Sequence, residues 1–408
     1  MTHTRGRALR FTKNVKVTRP LFVVALLFVI ASSGAAGTQQ AQRGPVKFSV
    51  RPLAVDANEG CAIADVNRDG QLDVIAGRNW YAAPDFAPRP LRLIEDWSGY
   101  VQSNGDLPWD INGDGWVDVI AGSFVPTDLY WYQNPGAEGL TKGQTWRRHL
   151  LAETKTSENE GTFLHDIDGD KVPEIVINSW NAKNPLVAWQ LTKDAAGAPS
   201  ATRRLLNATH NSHGMGFGDV NGDGREDILV GTGWYERPAG DPYASEWTFH
   251  ADWELDEPGL PMTVRDLNGD GRNDVVWGKG HNFGLFWRES LPAGPDGRTA
   301  WREHEVDKTY SQTHAFLWAD VDGDDDEEMI TGMRKWAHNG KDPGDDKPPA
   351  LYYYDWNRTT RMFERYMIED GRVGTGLQIR AADLNRDGRL DLAVAGKSGT
   401  YILFNEGR

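Results

Sequence analysis

A single cysteine, Cys61, occurs in the 408 residues. One thiol excludes a disulfide framework and a cysteine-ligated zinc site. The apolar run Leu21–Ala31 has only eleven residues, about half of the ~20 that a membrane-spanning helix needs. Positive charge is scarce: 44 Lys and Arg stand against 59 Asp and Glu, for a net charge of −15. A nucleic-acid binder needs a basic face to displace counterions, so this balance argues against one. No Ser-His-Asp order, phosphate loop or nucleotide fingerprint is visible, which leaves hydrolase, kinase and dehydrogenase readings without support. Glycine (45) and tryptophan (17) are plentiful. Many turns and many flat aromatic side chains favour β-structure over a helical bundle.

Arg5, Arg7, Arg10, Lys13, Lys16 and Arg19 precede the apolar run, and the small residues Ser32–Gly37 follow it. A basic start, a short apolar core and small residues are the pattern of a signal peptide. Residues 1–37 therefore read as an export signal, with an uncleaved anchor as the alternative. Residues 38–45 read as a short linker, and 46–408 as the mature domain, secreted or periplasmic and without a membrane span. Removing the six positive charges of residues 1–37 from −15 leaves −21, a charge that calls for cations.

One loop recurs seven times, with the pattern D-x-[DN]-x-D-G-x-x-[DE]. Its polar positions are Asp65, Asn67, Asp69 and Asp73; Asp110, Asn112, Asp114 and Asp118; Asp166, Asp168, Asp170 and Glu174; Asp219, Asn221, Asp223 and Asp227; Asp266, Asn268, Asp270 and Asp274; Asp320, Asp322, Asp324 and Glu328; and Asp383, Asn385, Asp387 and Asp391. The spacing averages about 53 residues, in the range of propeller repeats. Oxygen ligands at positions 1, 3 and 5, a turn glycine at 6 and a closing carboxylate at 9 suit a hard cation, calcium, at up to seven sites. The bland reading is seven Asx-rich turns without metal. An EF-hand closes at position 12 and leads into a helix. Here position 9 leads into β-type runs such as Asp73-Val-Ile-Ala. Lys171 and Asp325 replace the turn glycine in loops three and six, so these two sites are expected to be weak, empty or differently shaped.

Each loop joins two short strands, and two more follow. The third is aromatic, as in Leu129-Tyr-Trp-Tyr-Gln, and the fourth alternates, as in Trp146-Arg-Arg-His-Leu. The last unit stops after its third strand, Thr400–Phe404, and a matching strand, Phe48–Leu53, stands at the other end. The expected fold is all-β: a seven-bladed β-propeller of four-stranded antiparallel blades, closed by the N-terminal strand. A β-solenoid is the alternative, but its repeats are shorter.

The signature Asp-Val-Asn-Gly-Asp-Gly-Arg-Glu-Asp-Ile-Leu-Val-Gly at 219–231 resembles the repeat of FG-GAP and VCBS proteins, whose propeller is similar to the integrin α-chain head. The resemblance implies the propeller fold and calcium, but this fold serves many functions.

In an up-and-down blade, successive connections alternate between the two ends. The aspartate loops take one end, so the connections from strand two to three, and from one blade to the next, share the other. Six residues before each first aspartate stand Glu59, Asn104, Glu160, His213, Leu260, His314 and Leu377, which should ring the mouth of the channel. The two-to-three loops add Trp80, Trp180, Trp234, Lys279 and His281, and the long sixth loop, 334–349, adds Arg334, Lys335, Trp336 and His338. His213 and His314 are candidates for a second, softer transition metal with Glu59 or Glu160, for proton transfer in a sugar site, or for plain loop hydrogen bonds. Trp80, Trp180 and Trp234 would stack on sugar rings or pack between blades. His149, His250 and His304 each follow a tryptophan by three residues in fourth strands and read as repeat architecture.

A second resemblance lies in His314-Ala-Phe, Trp336-Ala-His338-Asn-Gly-Lys-Asp-Pro-Gly344 and Gly374-Thr-Gly-Leu-Gln378. These segments are similar to the propeller part of the aldos-2-ulose dehydratases, and this chain ends without that family's cupin domains. The resemblance implies sugar β-elimination, with His314, His338 and Gln378 near the ligand. Three readings follow: an exported calcium propeller that binds carbohydrate or a protein on the calcium-free face; a sugar lyase or dehydratase with His213, His314, His338 and Glu160 as catalytic groups; and a purely structural surface protein. In the first two, Glu59, Asn104, Trp80, Trp180, Trp234, His281, Arg334 and Gln378 are the expected ligand contacts.

Overall fold

Short runs of β-branched and aromatic residues between Asp- and Gly-rich turns pair as antiparallel strands. The structure, a computed structural model, describes residues 44–408 apart from 210, 296 and 297. The export signal expected over 1–37, and most of the linker, lie outside the described residues. These fold almost wholly as strands; the six-residue turn of helix Gly136–Thr141 is the exception. Among them are five four-stranded sheets, one eight-stranded sheet and a two-stranded hairpin, Asp96–Trp97 with Tyr100–Val101.

A representative sheet runs Gly105–Trp109, Asp118–Gly122, Asp128–Gln133, Arg147–Glu153, each strand antiparallel to the last. The second strands are covered on both faces. Asp73–Ala76 and Asp391–Gly396 are buried at every position, which is why they read as unbroken apolar runs rather than alternating ones. The fourth strand of the first repeat is the reverse: Ala87–Pro90 is exposed throughout. The eight-stranded sheet consists of two such units joined by a parallel pairing, Gly216 opposite Met262 and Phe217 opposite Thr263. Gly216 and Gly218 permit this approach, because a Cβ on either would collide with Met262 or Val264.

The first and last strands of the described chain are neighbours. Lys47–Ala54 pairs antiparallel with Gly399–Gly407, Val50 opposite Leu403 and Arg51 opposite Ile402. The apolar cores lie between successive sheets. One joins Ile75 and Trp80 to Val119 and Tyr132; the next joins Leu107 and Ile120 to Ile175 and Trp189. Another joins Val74 and Tyr81 of the first repeat to Ala393 and Ile402 of the last.

The aspartate turns share one construction. In the second loop, Asp110 Oδ1 accepts from Gly113 N (2.8 Å) and Asp114 N (3.1 Å), and its Oδ2 accepts from Gly115 N (2.8 Å). The ninth residue, Asp118, is fully buried; Ile111 N donates to its Oδ2 (3.3 Å) and Asn134 N to its Oδ1 (2.8 Å), tying the loop to the end of the third strand. Loops three and six are not reshaped as the sequence suggested. Lys171 (φ 73°) and Asp325 (φ 72°) take the left-handed conformation that Gly115 (φ 84°) takes in the second loop. Lys171 N and Asp325 N donate to Asp166 Oδ2 (3.1 Å) and Asp320 Oδ2 (3.0 Å) as the glycine does.

Candidate functional site

Glu160 sits in the first strand Asn159–His165, while His213 and His314 stand just before the first strands Met215–Gly218 and Phe316–Ala319. His281 lies between Asp274–Gly278 and Phe283–Leu291, Trp180 directly follows Glu174–Ser179, and Arg334, His338 and Asp342 belong to the loop between Glu328–Gly332 and Ala350–Asn357. These are all connections away from the aspartate turns, and the structure brings them together.

Arg334 is the hub. Its Nε and Nη2 donate to the two oxygens of Glu59 (2.7 and 3.0 Å), and its Nη1 donates to Glu160 Oε1 (2.7 Å). Trp180 Nε1 donates to Glu160 Oε2 (2.9 Å). The same carboxylate meets His213 Nε2 at 3.0 Å and His314 Nε2 at 3.3 Å. His213 Nε2 is 3.0 Å from His281 Nε2, and its Nδ1 donates to the Pro258 carbonyl (2.8 Å). Asp342 accepts from Nδ1 of both His281 and His338 (2.8 Å each), so that these two rings stack with centroids 3.9 Å apart. His314 is fully buried; its Nε2 contact with Glu160 lacks hydrogen-bond geometry, and its Nδ1 has no partner.

The charges bias one another. Burial pushes the Glu160 carboxyl up, but the His213 and His314 imidazoles outweigh it and hold it well below the usual range. Glu59 is likewise lowered: Arg334 overcomes the cost of burial. Burial depresses His213, yet Glu160 raises it overall. His314 is pushed down to about 4 by burial, then by Arg334, and burial together with His314 drives His281 well below the ordinary imidazole range. Lys397 is lowered by burial; its ammonium donates to the carbonyls of Trp336 (2.7 Å) and Ala337 (3.2 Å). The pocket thus holds a buried guanidinium and two carboxylates, with His281 and His314 biased to the neutral form and His213 to the charged one.

Of the residues expected at the mouth, Glu59, Glu160, His213, His281, His314, His338, Arg334 and Trp180 assemble here. Asn104 flanks them, its Nδ2 donating to the Asn159 and Glu160 carbonyls (3.2 and 3.1 Å). It also lines, with Leu260, Leu377 and Gln378, a cavity of about 300 Å³. Gln378 is not a free ligand contact: its Oε1 accepts from the Cys61 and Asp106 amides (2.8 and 3.0 Å). Trp80 and Trp234 are not in the site either. Trp80 packs on Ile75 and Leu91, and Trp234 donates to Asp252 (2.8 Å) while stacking on His250. His149, His250 and His304 stack on Trp131, Trp234 and Trp287 at 4.5, 4.2 and 4.2 Å, a register that the repeat imposes. Asp342 escaped the sequence reading, though it lies four residues after His338 in the loop already singled out. Trp97 and Phe124 escaped it too. Trp97 faces Phe124 (6.0 Å), and Phe124 meets Trp180 (5.3 Å), forming an aromatic row into the site.

The aspartate loops form a second candidate site. In loop three, ligand oxygens of Asp166, Asp168 and Glu174 lie within 4.8 Å of one another, as do those of Asp320, Asp322, Asp324 and Glu328 in loop six. Burial and the neighbouring aspartates push the closing carboxyls up: Asp118 to about 7, Glu174 to about 7 and Glu328 to about 8. An all-oxygen donor set whose negative charge is so poorly tolerated fits a hard dication.

A repeated four-stranded unit, turned by an aspartate loop and packed face to face with its neighbours, defines a repeat β-propeller. The model of the family described as FG-GAP-like repeat matches residues 110–177, 166–230 and 266–331, so the repeats of this chain are FG-GAP-like. Comparison with curated proteins returns no match. Similar solved structures include BBS1N in complex with ARL6DN (10% identity, 88% of this chain and 96% of that chain, TM-score 0.49). They also include Saccharomyces cerevisiae Sqt1 (10%, 89% and 99%, TM-score 0.46) and the V. cholerae biofilm matrix protein Bap1 (10%, 89% and 84%, TM-score 0.38). The resemblance to aldos-2-ulose dehydratase rests on the sequence segments alone. No helix among the described residues is long and apolar enough to cross a membrane.

Proposed function

We propose that this chain is an exported, calcium-stabilised propeller whose Glu160 face binds carbohydrate. The export reading rests on the basic start and short apolar run of residues 1–37. Seven four-stranded units over residues 46–408 close into a ring. The strand pairing of Lys47–Ala54 with Gly399–Gly407 and the core shared by Tyr81 and Ile402 support this closure. Calcium occupies up to seven aspartate loops, where it offsets carboxylates that burial would otherwise keep protonated.

The observation that carries the ligand reading is the aromatic row. Trp97, 39% exposed, ends the row that leads through Phe124 and Trp180 to Glu160 and His213, and Trp336, 49% exposed, belongs to the same loop as Arg334 and His338. Flat exposed rings beside fixed polar groups are the composition of a pocket for a sugar, which has apolar ring faces and hydroxyl edges. The test is a glycan array followed by calorimetry on the full mature chain with calcium. Saturable binding to a glycan class, weakened at least about 10-fold in Trp97→Ala/Trp336→Ala without a change in melting temperature, supports the reading. Absence of binding to every glycan on the array overturns it and leaves a protein ligand as the reading to pursue.

A further inference from the structure

We propose that Glu160, His213, His281 and His314 form a site for one transition-metal dication of the zinc class, separate from the calcium loops. The inference is independent of carbohydrate binding. Each of the four residues offers one ligand atom, and these atoms all lie within 4.8 Å of one another. Three of the separations are short: 3.0 Å from His213 Nε2 to Glu160 Oε2, 3.0 Å from His213 Nε2 to His281 Nε2, and 3.3 Å from His314 Nε2 to Glu160 Oε1. With bonds of about 2.0–2.1 Å, the edge of a tetrahedral zinc site is about 3.3 Å.

The placement of hydrogens supports the same conclusion. The partner of His213 Nδ1 is the Pro258 carbonyl, which can only accept, so that nitrogen carries its proton. His281 Nδ1 faces the Asp342 carboxylate and carries its proton as well. In the neutral rings, both Nε2 atoms then point lone pairs at each other across 3.0 Å, with a carboxylate oxygen alongside. One extra proton on His213 can satisfy one of these contacts. A dication satisfies all of them. His314 adds an independent sign, for it is wholly buried against this cluster, its Nδ1 has no partner, and its Nε2 lies 3.3 Å from Glu160 Oε1 without hydrogen-bond geometry, a state that costs free energy unless something unseen binds there.

The surroundings are those of a metal site. The outer imidazole nitrogens are fixed by Pro258 and Asp342, and Glu160 is fixed by Arg334 and Trp180. Such outer hydrogen bonds fix ring tautomer and aim the ligating nitrogen. Gly280 closes one side: a Cβ there would come within 2.8 Å of His314 and 3.1 Å of His213. Three imidazoles and one carboxylate suit zinc and its neighbours, whereas calcium takes oxygen ligands.

The experiment uses the full mature chain, stripped with a chelator and returned to excess calcium so that the aspartate loops are served first. Zinc chloride is then titrated by calorimetry, and bound metal is counted by mass spectrometry after gel filtration. One zinc per chain, with cobalt(II) giving the visible bands of a tetrahedral nitrogen-oxygen site, is the expected result. His281→Ala and Glu160→Gln should abolish it. Asp342→Asn keeps every ligand and should weaken zinc about 10- to 100-fold, which keeps the proposal testable if the ligand variants unfold. Circular dichroism checks folding throughout. Folded protein that binds no zinc at saturation, or variants that bind zinc as the parent does, overturns the proposal. So does nitrogen NMR showing His213 doubly protonated while zinc is present.

Discussion

Arg334 grips Glu59 through two parallel hydrogen bonds, Nε to Oε1 at 2.7 Å and Nη2 to Oε2 at 3.0 Å, across 275 residues of sequence. Its remaining arm reaches Glu160, so a long loop of the sixth repeat is bolted to the first and third. All three groups are buried: Glu59 and Glu160 are 1% exposed and Arg334 is 6% exposed. Arg334→Met would leave two buried carboxylates facing each other without a cation. The expected loss is about 3–5 kcal/mol, the cost of breaking a buried pair by removing one partner. Arg334→Lys should recover only part of this, since an ammonium cannot make the planar fork. Adding Glu59→Gln and Glu160→Gln to Arg334→Met should restore some stability. Urea unfolding measures the series, and a loss under about 1 kcal/mol for Arg334→Met would show that the network is not coupled to the fold.

The closing carboxylates predict how stability depends on calcium and pH. Asp118 and Glu174 titrate near 7 and Glu328 near 8 in the folded chain without metal, because burial and the neighbouring aspartates oppose their charge. Their pKa values are raised above the unfolded values, so the folded state holds more protons and metal-free stability falls as pH rises. His213, also raised, acts in the same direction. His281 and His314 have the opposite sign: lowered in the fold, they contribute stability above about 6.5 that is lost as pH falls toward 4. Chelated protein should therefore melt highest near pH 6–7 and lower at pH 8.5. Excess calcium should raise the melting temperature by many degrees and by more at pH 8.5 than at pH 6, since cation and proton compete for the same oxygens. Calorimetric scans in chelator and in calcium check both trends. A calcium effect that is absent, or larger at pH 6, would contradict the assignment.

Legibility differed between fold and site for a physical reason. The aspartate loops are local: nine consecutive residues make the turn, so their spacing announces the repeat and the strands on either side. The first-strand positions were also legible, because an equal offset from each loop puts Glu59, Glu160, His213 and His314 at equivalent places. What the offset could not distinguish was which polar side chains are already engaged. Gln378 stands one residue past the mouth position Leu377, and its carbonyl oxygen is taken by the amides of Cys61 and Asp106, more than 270 residues away. Trp80 and Trp234 lie in third strands, one position further from their aspartate loops than Trp180, and the core covers them. Asp342 depends on a loop fold that no periodicity reports. Gln378→Ala should accordingly destabilise the chain by about 1–3 kcal/mol, from two buried amides left unpaired. Zinc and glycan affinities should stay unchanged. A variant of unaltered stability that loses ligand affinity would return Gln378 to the binding site.

Lys171 and Asp325 hold left-handed backbone, at φ 73° and 72°, in turns where five other copies use glycine. A Cβ in this region costs about 1–2 kcal/mol, and the loops retain their shape because Asp166 and Asp320 still accept the backbone amide at the turn. Glycine would remove the strain but add freedom to the unfolded chain, which takes back about 0.4–1 kcal/mol. Lys171→Gly should therefore stabilise by about 0.5–1 kcal/mol. Asp325→Gly should give at least as much, because it also removes a negative charge beside Asp320, Asp322 and Asp324. The two gains should add, as the loops are separate. Chemical denaturation with calcium present measures each variant. Destabilisation by either substitution would mean that the side chain, rather than the backbone, is what these two loops require at that position.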